Sequence, residues 1–129
     1  MRGYCDPALW PQRKSYLGPE IAVSIEYDRT RVDDFAFGIT RAVGGIAKSG
    51  SIVLNDATTS RRLAALAPWV HVAVLSRSQS FATIADAAQA LGDGQNVIWA
   101  TGPSKTADIE GILIEGAHGP GVQIALVLA

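Results

Sequence analysis

The run Val70-His71-Val72-Ala73-Val74-Leu75 decides the fold class of this chain. It is apolar at both alternating sets of positions apart from His71, so as a strand it must be covered on both faces, the condition of an interior strand in a parallel sheet. His71 within it reads as a buried, hydrogen-bonded strand residue. Before this run, 35–39 and 51–54 are short apolar strands. Between them Ala42, Val43, Ile46 and Ala47 share a helical face, with Lys48 in the last turn and Gly50 to close it. Leu63 and Leu66 mark a short helix ended by Pro68.

After the central run, Ile84, Ala87, Ala88 and Leu91 recur at helical spacing over 80–91, and Gly92 follows as a cap. Residues 96–100 form the next strand, Ile109, Ile112, Leu113 and Gly116 suit a helix running from Thr106, and 122–128 is a last strand. This alternation predicts an α/β fold, a three-layer arrangement with a mostly parallel sheet flanked by helices. Upstream, Ile21, Val23, Ile25 and Tyr27 alternate with Ala22, Ser24 and Glu26, the pattern of a half-exposed edge strand. Residues 1–20 carry Tyr4, Trp10 and Tyr16 among Pro7, Pro11, Gly18 and Pro19 and show no period. The expected organisation is an irregular arm over 1–20 and one α/β domain over 21–129.

With 129 residues, 48% of them hydrophobic and 18% charged, the chain can bury a core as one domain. A net charge of -1 offers no field for nucleic acid or an acidic membrane. Arg29-Thr30-Arg31 and Arg61-Arg62, the basic pairs worth naming, read as solvated positions and not as a binding stripe. Cys5 is the one cysteine, which rules out an internal disulfide, a cysteine zinc site or an iron–sulfur cluster ligated by this chain alone. No metal and no cofactor in this chain are expected. No apolar run approaches a membrane span and no signal peptide is visible, so a soluble, cytoplasmic protein is expected.

Thr101-Gly102-Pro103-Ser104-Lys105-Thr106-Ala107-Asp108-Ile109-Glu110 joins the strand at 96–100 to the helix expected from Thr106. At such a junction a helix N-terminus offers unpaired N–H groups to an anion. Gly102 would let the backbone approach a ligand, Ser104 or Thr106 would cap, and Lys105 would add a positive charge. Asp108, in or near the first turn, could itself satisfy that helix end, so a capped helix without ligand stands beside a phosphate or carboxylate site. His118 could cap the far end of the same helix, or serve as a ligand or proton carrier.

Three motifs fail. Gly44 to Ser51 has Ala47 where a phosphate loop needs Gly before Lys, Gly116 to Gly121 does not follow the dinucleotide order, and no nucleophile elbow occurs.

Gly38 to Thr40, Ser49 to Leu54, Val70 to Leu75, Gly102 to Glu110 and Gly116 to Pro120 come in the order found in LUD domains. Over Phe35 to Ala129 the chain resembles these lactate-utilization proteins of the LutC type. The resemblance implies a fold similar to ribose 5-phosphate isomerases and CoA transferases. It also implies a cluster-free subunit that accompanies iron–sulfur subunits in oxidising L-lactate to pyruvate. Matched to the family's motifs, Thr40, Gly102, Ser104, Thr106, Asp108, Glu110, His118 and Gly119 would be ligand-binding, with Lys105 beside them.

Two departures stand out. The family's usual Ala-Glu-Thr-Gly is Ala47-Lys48-Ser49-Gly50 here, so a base replaces an acid, and relatives usually carry a longer N-terminal portion. The resemblance leaves three readings. The first is a non-redox accessory subunit that binds a small organic anion or phosphate, or docks the cluster-bearing proteins, and has no turnover alone. The second is an isomerase- or CoA-transferase-like enzyme using Asp108 or Glu110 as base on a phosphorylated or CoA-linked substrate. The third is a degenerate protein-interaction domain. No catalytic residue is assigned, and a homo-oligomer stays open.

Overall fold

The computed structural model describes residues 1–13, 17–59, 61–93, 96–102, 105–107, 113–115 and 119–129, of which 12–13, 105–107 and 113–115 are described by backbone alone. The apolar run at 70–75 becomes β6 (Val70–Ser76), held on one side by β3 (Phe37–Arg41) and on the other by β11 (Val122–Leu128), both parallel to it. Beyond β3 the sheet continues through β1 (Arg2–Cys5) to β2 (Ala22–Ser24), again parallel. The five-stranded order is β11-β6-β3-β1-β2, so the fold is α/β around a parallel central sheet, with β2 at an edge as its alternating pattern predicts.

Helices cover both faces. On one, Cys5, Leu9 and Val74 form a buried cluster with Trp10 of α1 (Trp10–Arg13) packed against it. On the other, Ala65 of α2 (Arg62–Leu66) joins Ala73 and Leu75 of β6. Ala64 of the same helix packs with Tyr4 and Phe35.

The second layer is a sheet. β4 (Gly44–Ile46), β5 (Ser51–Asn55), β7 (Ser80–Phe81) and β8 (Val97–Thr101) pair in the order β7-β4-β5-β8, with β5 antiparallel to both neighbours. All of β5 is buried because its alternate residues serve two layers. Ile52 and Leu54 face Ala73 and Leu75 of the parallel sheet, while Val53 meets Ala87 of α3 (Ile84–Leu91). Thr83 caps α3 in a reciprocal pair with Asp86, and Gly92 closes it at φ 69°.

Four expectations are corrected. The arm over 1–20 contains β1, an interior strand; its four residues are too few for a period, and the Phe37 ring lies where a side chain of Gly3 would be. The helix after Thr40 is instead the end of β3, then β4 and a turn through 47–50. Two adjacent glycines disfavour a helix there, and Gly45 lets the backbone approach Leu75, which a Cβ would meet at 2.9 Å. The helix over 80–91 begins only at Ile84, after β7.

In place of the helix expected from Thr106, the described residues form β9 (Lys105–Ala107), antiparallel to β10 (Leu113–Glu115). A short apolar run containing β-branched residues satisfies strand and helix templates alike, and here cross-strand pairing wins.

Layer spacing rests on Gly38, where an added Cβ would overlap the carbonyl oxygen of Ala64 in α2, a backbone atom that cannot step aside. Gly38→Ala is expected to destabilise the fold by about 3 kcal/mol through this overlap. Urea unfolding would check it, and a loss no greater than that of a Gly119→Ala control, where an added Cβ meets no atom within 4 Å, would refute the close-packing account.

Candidate functional site

Numbered among themselves in chain order, the five parallel strands run 2-1-3-4-5, with the reversal between β1 and β3. Ligands of open parallel sheets bind outside the carboxyl ends of the strands at such a reversal. Asp6 follows β1 there and Arg41 ends β3. The Asp6 side chain is 1% exposed and accepts from Arg41 Nε at 3.0 Å and from the Ala8 N–H at 2.9 Å. Arg41 is 39% exposed, and among the described residues its terminal nitrogens have no partner.

The loop after β3 is held from two sides. Thr59 Oγ1 donates to the Arg41 carbonyl at 3.0 Å, and Gln79 Nε2 donates to that of Ala42 at 3.4 Å. Arg41, Thr58, Ser76 and Gln79 line a cavity of about 230 Å³ with Leu128 on its apolar side. A buried carboxylate orienting an exposed guanidinium gives this crest an anion-recognising group of fixed direction. The sequence reading missed both residues; an acid followed by proline at the end of an apolar run, and an arginine closing a strand, were the available signals.

The sequence-predicted residues fall elsewhere. Thr40 is fully buried and its Oγ1 lies 3.0 Å from His71 Nε2, so it belongs to the interior of the parallel sheet, and a ligand-binding role does not follow from this geometry. Gly102 is exposed at φ 58°, directly after β8, which belongs to the antiparallel-bonded sheet and not to the parallel one. The crest argument therefore does not extend to its turn.

What the structure does bring to Gly102 is the segment Ser49-Gly50-Ser51. Ser51 Oγ is 2.6 Å from Thr101 Oγ1 and 2.7 Å from Ser49 Oγ, and Gly50 also has positive φ, 67°. Two of the motifs read from the sequence thus meet through a chain of hydroxyls. Lys105 and Thr106 lie in β9, and Gly119 is in a bend before β11. Ser104, Asp108, Glu110 and His118 lie outside the described residues. Among the described residues no group of three or more His, Cys, Asp or Glu could hold a metal ion, and no helix is long and apolar enough to cross a membrane.

Residues 12–128 match the LUD domain. The chain belongs to the LUD domain family. Lactate utilization protein C of Deinococcus radiodurans is 32% identical over 87 residues, covering 64% of this chain and 41% of that protein. Lactate utilization protein C of an Exiguobacterium species is 36% identical over 99 residues, 70% of this chain and 43% of that one. The Bacillus subtilis protein of the same name is 29% identical over 127 residues, with coverages of 92% and 52%. The chain thus spans about half the length of the curated relatives it matches. In fold, it is similar to a crystal structure of a DUF162 family protein from Deinococcus radiodurans, with TM-score 0.61, 16% identity, and coverage of 99% of this chain and 87% of that one.

Burial lowers the His71 pKa from 6.5 to about 4, so the LUD core holds a neutral imidazole. The unfolded chain binds the proton first as pH falls. Stability from this group is therefore complete above pH 6.5 and is lost progressively down to about pH 4. The loss is expected to be on the order of 3 kcal/mol. Urea unfolding of wild type and His71→Gln across this window should show a steeper decline for wild type; parallel declines would remove His71 from the account.

Proposed function

We propose that this chain is a cytoplasmic, non-redox accessory subunit of L-lactate utilization that works beside iron–sulfur partner subunits and holds a small organic anion at the turn beginning with Gly102. The observation that carries the reading is the LUD match over 12–128 together with relatives named lactate utilization protein C. Cys5, the one cysteine of the sequence, is fully buried in β1, which suits a chain that leaves cluster chemistry to its partners. At the turn, the positive φ of Gly102 and the hydroxyls of Ser51 and Thr101 supply a polar, backbone-accessible corner, with Lys105 three residues after Gly102 in the sequence.

Reconstitution tests this. Cluster-bearing partners from the same organism are assayed for L-lactate oxidation to pyruvate with and without the chain, and the chain is assayed alone. Oxidation is expected to require the chain and to be absent from the chain by itself. Full activity of the partners without it, or turnover of lactate by the isolated chain, would overturn the accessory role.

A further inference from the structure

Of the basic pairs that read as solvated positions in the sequence, Arg29 and the pair Arg61-Arg62 come together in space, while Arg31 pairs with Asp34. Arg29, which follows the loop after β2, and Arg61 and Arg62, at the start of α2, line one cavity of about 490 Å³. The acid within it is Asp56, bound to Arg62 Nε at 2.7 Å. Arg29 and Arg61 have no carboxylate partner among the described residues. Three guanidinium groups against one carboxylate leave two positive charges uncompensated, in a chain whose net charge is -1. Such a concentration favours a doubly charged anion over a single carboxylate, because each planar guanidinium can present paired N–H groups to phosphate oxygens.

The apolar part of the lining is Leu63, Leu66 and Ile98. Tyr27 completes the cavity. Its ring is fixed by stacking on Phe35, centroids 4.9 Å apart, and by an edge contact with Tyr4 at 5.4 Å. Its hydroxyl is shut off from water and has no hydrogen-bond partner among the described residues, a cost that a small rearrangement towards a ligand acceptor would relieve. Burial, and then the charge of Asp33, push the Tyr27 pKa up, so the hydroxyl remains a donor. A second cavity of about 530 Å³ shares Tyr27 and Arg61 and reaches Pro7, next to the crest residue Asp6, with Glu26 as the acid on its wall.

We infer that this cavity is a binding site for a phosphorylated small molecule, whose phosphate is held by Arg29, Arg61 and Arg62 and whose organic body rests on Leu63, Leu66 and Ile98. Its volume is that of a small-molecule site, larger than a free phosphate needs. The inference uses none of the residues at the Gly102 turn and is independent of the lactate reading.

Titration calorimetry with inorganic phosphate, pyrophosphate and ADP tests it. ADP should bind, pyrophosphate should compete with it, and free phosphate should bind more weakly than either. Arg61→Gln and Arg29→Gln, at exposed positions with no structural partner to lose, should each weaken ADP by about tenfold or more. Lys105→Ala should leave it unchanged. No heat with any of the three at millimolar concentration would overturn the site. So would wild-type affinity in the Arg29→Gln/Arg61→Gln double variant. Loss of binding in Lys105→Ala alone would also overturn it and move the anion to the Gly102 turn. Because the readout is binding to the isolated chain, the inference and the lactate-oxidation role can fail separately.

Discussion

A buried carboxylate is the constraint on which the rest of this structure depends. Asp6 leaves β1 at the reversal of the parallel sheet, its N–H donates to the Ile39 carbonyl at 2.8 Å, and its side chain binds Arg41 and the Ala8 N–H. One residue thereby registers β1 on β3, turns the chain towards α1 and fixes the guanidinium of the crest. An acid so thoroughly removed from water is tolerated only with such partners, since breaking a buried pair leaves a charge that costs several kcal/mol. The same geometry that closes the fold therefore also aims Arg41 outward.

Above this sheet the layers are set by backbone contact. Gly38 admits the Ala64 carbonyl of α2, and Gly45 admits Leu75 from the parallel sheet into the mixed one. With α2 drawn against β3, Arg61 and Arg62 at its start line one cavity with Tyr27 and Arg29, which come after β2 in the chain. The arginine cavity is thus a consequence of helix placement, and helix placement is a consequence of a missing Cβ.

Legibility in the sequence follows from how locally each element is determined. β6, β5 and β11 are predominantly apolar runs, and α3 carries both its period and a closing glycine, so these could be read directly. β1 could not, because Gly3-Tyr4-Cys5 becomes apolar structure only when Phe37 covers Gly3 and neighbours pair on both sides. The glycines at 44 and 45 signalled a close approach, but helical spacing at 42, 43, 46 and 47 masked it. At the sites, a motif marks residues adjacent in the chain. It found Gly102 and the Ser49–Ser51 segment, whereas Asp6 with Arg41, and Arg29 with Arg61, are separated by more than thirty residues and meet only through sheet topology.

The side chains of the crest, the Gly102 turn and the arginine cavity share one chemical character among the described residues. At the Gly102 turn, the segment that follows Lys48 offers hydroxyls, with Ser51 bonded to both Ser49 and Thr101. Of the acids at the crest and in the arginine cavity, Asp6 is engaged by Arg41 and the Ala8 N–H, and Asp56 by Arg62. A general base needs a lone pair free to reach a substrate proton. These carboxylates instead orient guanidinium groups, and the groups without a partner among the described residues are donors: the terminal nitrogens of Arg41, the side chains of Arg29 and Arg61, and the Tyr27 hydroxyl. Oriented guanidinium donors of this kind match the geometry of carboxylate and phosphate oxygens, and the inference drawn for the arginine cavity rests on that chemistry.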